Sequence, residues 1–150
     1  MLINSSRSSV LRALRWVHAL YGALFSVVLA GLLVNAFVLT GFTVDGHSMD
    51  PTLHNRDRLA VSLAAYWFSE PQLGDVVIVA YDGDNSVRFV KRIAGVPGDL
   101  VTVGDAKVTV EPGHYYVLGD NRMHSTDSRA YGTVGREQII GKVIFPAISR

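Results

Sequence analysis

The chain opens with a short polar segment that leads into one long hydrophobic run. Residues 16–44 contain no Asp, Glu, Lys or Arg, and "VHALYGALFSVVLAGLLVNAFVL" within them is almost continuously apolar. A helix that crosses a bilayer core needs about 20 such residues. The hydrophobic stretch of a cleaved leader is only about 7–15 residues long. The pattern therefore predicts an uncleaved transmembrane anchor helix over residues 16–40, preceded by a tail over residues 1–15.

Beyond the anchor the pattern changes to short stretches that are typical of β-strands. They are rich in β-branched and aromatic residues and are separated by Gly, Asp, Asn or Pro. They read "RLAVSLAAYWF", "DVVIVAY", "SVRFVKRIAGV", "DLVTV", "AKVTV" and "HYYVLGD". Gly104 and Asp105 lie at the centre of a predicted hairpin. The sequence thus predicts a mainly β fold, with one small antiparallel domain over residues 41–150 in which any helix is short.

The flanks of the anchor predict its orientation. Three arginines precede it, Arg7, Arg12 and Arg15, whereas the first Lys or Arg after it is Arg56. Positively charged flanks are retained on the cytoplasmic side of a membrane. We therefore expect a single-pass membrane protein with a cytoplasmic N-terminus and an extracytoplasmic β domain, with membrane lipid as one of its partners. A plasma membrane is the expected location, with an organelle inner membrane or a thylakoid membrane as the alternative.

Charge and cysteine content narrow the possible chemistry. The formal net charge is only +1, which gives no basic patch and makes nucleic acid an unexpected partner. The chain has no cysteine, which excludes disulfides, thiolate metal sites and a cysteine nucleophile. No metal and no other cofactor is expected.

Lys91 interrupts an apolar face of the predicted strand "SVRFVKRIAGV". With a period of two, Val87, Phe89, Lys91 and Ile93 share one face of that strand. One interpretation is that Lys91 lays its stem over Phe89 and keeps its ammonium group in water. The other is that burial lowers the pKa of Lys91 until the amine is neutral and can act as a general base.

Ser48 in "GHSMDPTL" also has two interpretations, a turn residue or a nucleophile. The motif lacks the second glycine of a G-x-S-x-G elbow, because Asp50 stands there. The neighbouring His47 points away from Ser48 in an extended chain. A neutral lysine can take the serine proton without any histidine. Gly46 would then allow the tight turn that aims backbone N–H groups at an oxyanion.

A third polar cluster, "GDNRMHSTDSRAYG", follows the last predicted strand. Its first residues are typical of a turn, and Asp127 with Arg129 could form a surface ion pair that contributes little. Ser125 supplies a second hydroxyl, which could orient a lysine amine. Each of the three clusters is weak evidence when taken alone.

Together, the three clusters resemble the type I signal peptidases, a family of membrane-anchored Ser-Lys endopeptidases. "GHSMDPTL" is similar to the family's nucleophile motif, "FVKRIAGVPGD" to its lysine motif and "GDNRMHSTDSRAYGTV" to its C-terminal motif. The motifs occur in the family's order behind an N-terminal anchor. The resemblance runs from the anchor to about residue 135 and implies the family's fold of coiled β-sheets.

The resemblance implies roles for individual residues. Ser48 matches the nucleophile, Lys91 the general base, and Ser125 the serine that hydrogen-bonds the lysine. The supporting residues that it also implies are Met49 near the membrane-facing side of the site, Asp127 and Arg129 as an ion pair bracing it, and Gly119, Asp120 and Asn121 as the preceding turn. Gly46 stands where some members carry an oxyanion-hole serine, which leaves the Ser48 N–H as the donor. His124 stands where asparagine is common, and its role is left open.

The implied function is removal of N-terminal signal peptides from secretory preproteins with small residues at positions −1 and −3. A catalytically weak or inactive membrane protein that only binds preproteins is the alternative. Self-cleaving Ser-Lys repressors share a related fold but carry a DNA-binding domain in place of the anchor. The consecutive rings of Tyr66, Trp67 and Phe68 are either an interfacial membrane patch or two core residues with one exposed ring.

Overall fold

A computed structural model of the chain describes residues 3–81, 84–103 and 106–145. The chain separates into two units, Met1–Phe37 and Val38–Arg150. Helix α1, Ile3–Val38, makes up nearly all of the first unit. Its segment Leu14–Leu33 is long and apolar enough to cross a membrane. The described side chains of that segment are exposed. The predicted borders of tail, anchor and β domain remain predictions.

The second unit is mainly β and antiparallel, which confirms the predicted fold class. Seven strands form one sheet in the order β1-β2-β9-β3-β4-β7-β8, and β5 pairs with β6 in a separate hairpin. The strands are β1 Leu39–Thr43, β2 Arg58–Ser62, β3 Val76–Tyr81, β4 Asp84–Gly95, β5 Leu100–Val103, β6 Ala106–Thr109, β7 His114–Leu118, β8 Val134–Gly135 and β9 Ile139–Phe145. A single-turn helix α2, Ser128–Tyr131, and a 3₁₀ turn, Arg136–Gln138, complete the described elements.

The sheet is buried on both faces around β3. Val77 and Val79 pack in one core cluster, whereas Ile78, which points to the opposite face, packs in another. This is why "VVIVA" is continuously apolar rather than alternating. Register shifts interrupt the pairing of β3 and β4 with their neighbours, and such bulges bend and twist strands. The sheet therefore curls.

Several predicted strands end earlier than expected. The stretch predicted from residue 58 to 68 is a strand only over Arg58–Ser62, and the chain then enters turns. In those turns Tyr66 is buried while Trp67 and Phe68 are exposed, so two of the three rings face outward rather than one. The prediction missed β1, β8 and β9, because β1 continues the apolar run of α1 and β9 "IIGKVIF" lies beyond the motifs.

The predicted hairpin is present. β5 and β6 pair antiparallel from Leu100 opposite Thr109 to Val103 opposite Ala106, which confirms the pairing on either side of the expected turn. The turn residues Gly104 and Asp105 lie outside the described residues. Val101 from this hairpin packs against Tyr116 of β7 in a third core cluster.

Candidate active site

Lys91 is buried in the middle of β4. Only 2% of its surface is exposed, and its Nζ lies 2.9 Å from Ser48 Oγ and 5.7 Å from the centre of the Phe89 ring. The snorkelling interpretation is therefore wrong, because the amine does not reach water. The predicted apolar face is only partly buried, because Ile93 is enclosed whereas Phe89 is 37% exposed. The strand brings the amine of Lys91 to the hydroxyl of Ser48.

Ser48 lies in a turn that follows β1. Gly46 has a φ of +97°, a backbone conformation that residues other than glycine rarely adopt. Its N–H donates to Asn55 Oδ1 at 3.0 Å. Met49, which is 1% exposed, anchors the turn in the core cluster that contains Val90. The turn therefore presents Ser48 to β4 while its neighbour is fixed in the core.

The loop that follows β7 holds this turn from the other side. The Asn121 N–H donates to the Ser48 carbonyl oxygen at 3.0 Å, and Asn121 Nδ2 donates to the His47 carbonyl oxygen at 3.0 Å. Arg92, beside Lys91 on β4, makes two hydrogen bonds to the Asp120 carboxylate, at 2.8 and 2.6 Å. The three polar clusters of the sequence thus meet at one place.

Asp127 and Arg129 form a two-bond ion pair within the same loop. Arg129 Nε and Nη2 donate to Asp127 Oδ1 and Oδ2 at 2.8 and 3.0 Å, and the Gly119 N–H also donates to Oδ2 at 3.0 Å. The Asp127 side chain is fully enclosed. Because the Asp127 carboxylate is fully enclosed, although 38% of the Arg129 side chain is exposed, the pair is not a surface pair of little effect. The hydrogen bond from the Gly119 N–H to Asp127 connects the two ends of the loop.

The surroundings of Lys91 and Asp127 shift the pKa of both groups. Burial lowers the pKa of Lys91 from 10.5, and the nearby Asp127 carboxylate opposes this shift without cancelling it. Burial raises the pKa of Asp127, but hydrogen bonds from Arg129 and the Gly119 N–H outweigh it and bring the pKa to about 2. Asp127 is therefore ionised at neutral pH, while Lys91 loses its proton more readily than an exposed lysine.

Ser125 approaches the site without a hydrogen bond to the lysine. Its Oγ is buried and forms no hydrogen bond of good geometry within the described part of the chain, although it lies close enough to the Asp127 carboxylate to help lower the pKa of Asp127. Gly119 lies against it, and a Cβ at that position would also come within 2.5 Å of the Ser48 carbonyl oxygen. Only glycine allows this approach. The role of Ser125 as partner of Lys91 remains a prediction.

The histidines of the β domain have other partners. His47 Nδ1 lies 3.0 Å from Asp50 Oδ2, His54 Nδ1 lies 3.8 Å from Asp57 Oδ2, and His114 Nδ1 lies 3.2 Å from the Pro112 carbonyl oxygen. His124 Nδ1 lies 3.3 Å from Asn121 Oδ1. Over the ranges that the structure describes, none of these rings forms a hydrogen bond with Ser48.

Sequence reasoning did not find two of these contacts. It placed Asp120 and Asn121 in a turn but did not pair Asp120 with Arg92, or Asn121 with the carbonyl groups around Ser48. The only available signal was the repeated occurrence of polar residues next to Ser48 and Lys91. Pairing between positions 28 and 74 residues apart depends on the tertiary fold.

Known proteins are similar to this chain in sequence. A profile of the family described as signal peptidase, peptidase S26, matches residues 14–112 and 105–148. The chain belongs to this family. Signal peptidase I of Bacillus licheniformis is 35% identical over 169 residues, which cover 87% of this chain and 88% of the relative. Signal peptidase I S of Bacillus subtilis is 34% identical over 163 residues, with 85% of each chain covered.

Signal peptidase IB of Staphylococcus aureus is 33% identical over 173 residues, which cover 88% of this chain and 87% of the relative. A crystal structure of a signal peptidase I from Enterococcus faecalis aligns with a TM-score of 0.40 at 23% identity, covering 50% of this chain and 97% of that chain. The signal peptidase I relatives are serine endopeptidases, and this member of the signal peptidase family is a hydrolase of that type.

Proposed function

We propose that the chain is a membrane-anchored endopeptidase that removes signal peptides by means of a Ser48–Lys91 dyad. The observation that carries the proposal is the 2.9 Å contact between Ser48 Oγ and a lysine amine that is almost completely buried. A buried amine with a lowered pKa is the form of lysine that can accept a serine proton. The names of the relatives support the kind of substrate.

The reaction would be acyl transfer in two steps. Ser48 Oγ attacks the carbonyl carbon of the scissile peptide bond while Lys91 Nζ takes the hydroxyl proton. The Ser48 N–H stabilises the oxygen anion that forms, and Lys91 then returns the proton to the leaving amine. A water molecule that gives a proton to Lys91 then attacks the ester carbonyl carbon, the bond from that carbon to Ser48 Oγ breaks, and Lys91 returns the proton to Oγ, which releases the signal peptide and free Ser48. Asp127 and Arg129 hold the loop that supports both groups.

The setting would be the outer surface of a plasma membrane. The apolar segment Leu14–Leu33 supports an anchor within residues 16–40, and the arginines before it support a cytoplasmic tail over residues 1–15. Residues 41–150 would then form the extracytoplasmic catalytic domain. Ser48 follows the end of α1 by only ten residues, since α1 ends at Val38. A signal peptide presents its cleavage site just beyond a membrane-embedded apolar segment, so the substrate and the serine would meet at the same surface.

The test is cleavage of a preprotein by the purified full-length chain in detergent. The substrate carries a signal peptide that ends in Ala-x-Ala, and the product is identified by its new N-terminus. We expect cleavage after the last alanine by wild type and none by Ser48→Ala. Replacing His47, His54, His114 or His124 singly should leave measurable cleavage, because the dyad needs no histidine. Binding of the preprotein without turnover would instead support the inactive, preprotein-binding alternative.

A further inference from the structure

One residue of the loop after β7 holds both peptide groups that flank Ser48. The main-chain N–H of Asn121 donates to the Ser48 carbonyl oxygen, and its side-chain Nδ2 donates to the His47 carbonyl oxygen, each at 3.0 Å. The φ and ψ angles of Ser48 relate these two peptide planes. Fixing both planes therefore fixes the backbone of Ser48 and limits the directions that its Oγ can take.

The hydrogen bond from Asn121 Nδ2 to the His47 carbonyl oxygen also affects the Ser48 N–H. The His47 carbonyl and the Ser48 N–H belong to the same planar peptide group, and in a trans peptide they point in opposite directions. The orientation of that carbonyl therefore sets the direction of the N–H. An amide whose oxygen accepts a hydrogen bond is also polarised, which strengthens its N–H as a donor. Asn121 thus acts on the Ser48 N–H, which stabilises the oxyanion in the proposed mechanism.

His124 extends this chain of hydrogen bonds by one member. The His47 carbonyl oxygen only accepts, so the Asn121 amide turns Nδ2 towards it and Oδ1 towards His124. His124 Nδ1 lies 3.3 Å from that Oδ1 and is therefore the donor in this contact. Arg92 secures the neighbouring residue Asp120 through two hydrogen bonds. The resulting order is His124, then Asn121, then the His47–Ser48 peptide group.

From this geometry we infer that Asn121 is a positioning residue of the oxyanion site, and that His124 orients its amide. The inference rests on the proposed function, because it needs Ser48 to be the nucleophile and its N–H to be the oxyanion donor. Neither side chain touches the reacting atoms. Both act through the peptide group between His47 and Ser48, in the transition state rather than in substrate binding.

The main test is the variant Asn121→Ala in the purified full-length chain. Loss of an oxyanion donor itself lowers kcat by about 10²–10³. Asn121→Ala removes only the side-chain hydrogen bond that supports this donor, so kcat should fall less, by roughly tenfold to 100-fold. KM should change by less than about twofold, since ground-state binding is unaffected. Asn121→Asp, which keeps the shape but removes the donor, should be at least as slow. The midpoint of the pH dependence of kcat/KM should stay where it is in wild type, because Lys91 is untouched.

Two inhibitors separate positioning from a general structural role. A peptide aldehyde with the signal-peptide sequence reacts with Ser48: the Oγ–C bond forms, the carbonyl electron pair moves to oxygen, and Lys91 takes the hydroxyl proton. The matching peptide alcohol binds without this step. We expect Asn121→Ala to weaken the aldehyde by the same factor as kcat/KM while the alcohol binds within about twofold of wild type. Equal weakening of both inhibitors would overturn the inference.

His124 provides a second route that does not depend on Asn121→Ala folding. His124 is exposed, so His124→Ala should leave thermal stability unchanged while lowering kcat by roughly threefold to tenfold. His124→Asn should restore activity, since asparagine Nδ2 takes about the position of histidine Nδ1. His114→Ala, which removes a ring bonded only to the Pro112 carbonyl among the described residues, is the matched control and should be neutral.

The outcomes are distinguishable. No turnover by wild type overturns the proposed function and this inference with it. Turnover by wild type that depends on Ser48, together with Asn121→Ala and His124→Ala at wild-type kcat, overturns the inference alone. Loss of kcat in both variants, with recovery in His124→Asn and selective loss of aldehyde affinity, supports it.

Discussion

At the scale of single residues, the decisive feature is a lysine where an apolar side chain would be expected. Lys91 is among the fully buried side chains of the β domain, beside Val77 and Ile93. Burial disfavours its charged form, so the pKa of Lys91 falls below 10.5 despite the opposing field of Asp127. An unperturbed lysine is neutral in only about one molecule in 10³ at pH 7. Burial raises the share of molecules in which the amine can accept a proton.

The first prediction concerns the pH dependence of this group. Because Lys91 must be neutral to act, kcat/KM should rise with pH through a limb whose midpoint lies below 10.5. The folded pKa is lowered, so burial of the charged form costs stability at low pH, and this cost disappears as pH rises through the folded pKa towards 10.5. Initial rates and thermal unfolding across a pH series measure the two effects.

Two variants of Lys91 test whether this residue causes the rise of kcat/KM with pH. Lys91→Arg keeps a positive charge but does not release a proton at accessible pH, so it should be inactive. Lys91→Met should be inactive yet no less stable, because an apolar chain suits the buried position. Cleavage by Lys91→Arg within about tenfold of wild type, which is about 1.4 kcal/mol in barrier, would show that the lysine is not the base.

At the scale of elements, the loop between β7 and α2 organises the site. It places Asn121 against the Ser48 turn and Ser125 against Gly119, and the hydrogen bond from the Gly119 N–H to Asp127 joins its ends. Two serines, one in this loop and one at the start of α2, are in contrasting positions. Ser128 Oγ accepts a hydrogen bond from the buried Val117 N–H at 2.9 Å. The buried Ser125 Oγ has no such partner within the described residues.

The second prediction uses this contrast. Ser125→Ala should change thermal stability little, because the buried hydroxyl that it removes has no hydrogen bond of good geometry and only assists the Asp127 carboxylate. If that hydroxyl orients the Lys91 amine during the reaction, kcat should nevertheless fall substantially while KM is nearly unchanged. Ser128→Ala is the control and should lose about 1–3 kcal/mol of stability, since it leaves the Val117 N–H unsatisfied. Wild-type kcat in Ser125→Ala would reduce this serine to a turn residue.

At the scale of the whole molecule, the chain combines two units that arrange their apolar side chains in different ways. The segment Leu14–Leu33 exposes its apolar side chains, which suits a lipid environment, whereas the β unit encloses its own cores. The absence of cysteine makes the topology directly measurable. Each introduced cysteine is then the single thiol of the chain.

The third prediction is that the two ends of the anchor lie on opposite sides of the membrane. Cysteines introduced one at a time at Ser5 and at Thr109, which is exposed on β6, should react with a membrane-impermeant thiol reagent from opposite sides of sealed vesicles. Thr109→Cys should be labelled from the extracytoplasmic side. Labelling of both variants from the cytoplasmic side would contradict the proposed orientation and an extracytoplasmic protease.

The sequence by itself determined what depends on local pattern and composition. The apolar run, the strand-like composition of "DVVIVAY" and "SVRFVKRIAGV", and the hairpin about residues 104 and 105 were predictable, because each reflects neighbours along the chain. So was the choice of Ser48 and Lys91 as candidates. β1 was not predicted, because its residues continue the apolar run of α1, and β9 was missed because it lies beyond the three motifs.

Only the tertiary structure decided between the alternatives at each candidate residue. The sequence is compatible with an exposed and with a buried Lys91. Burial follows from the place of Lys91 in the sheet, opposite Val77 of β3, and from its contact with Ser48. The Asp127–Arg129 pair likewise gains its weight from enclosure, and Asn121 gains its role from two carbonyl groups more than 70 residues away. The physical reason is that desolvation and hydrogen bonding depend on three-dimensional neighbours, which local sequence does not specify.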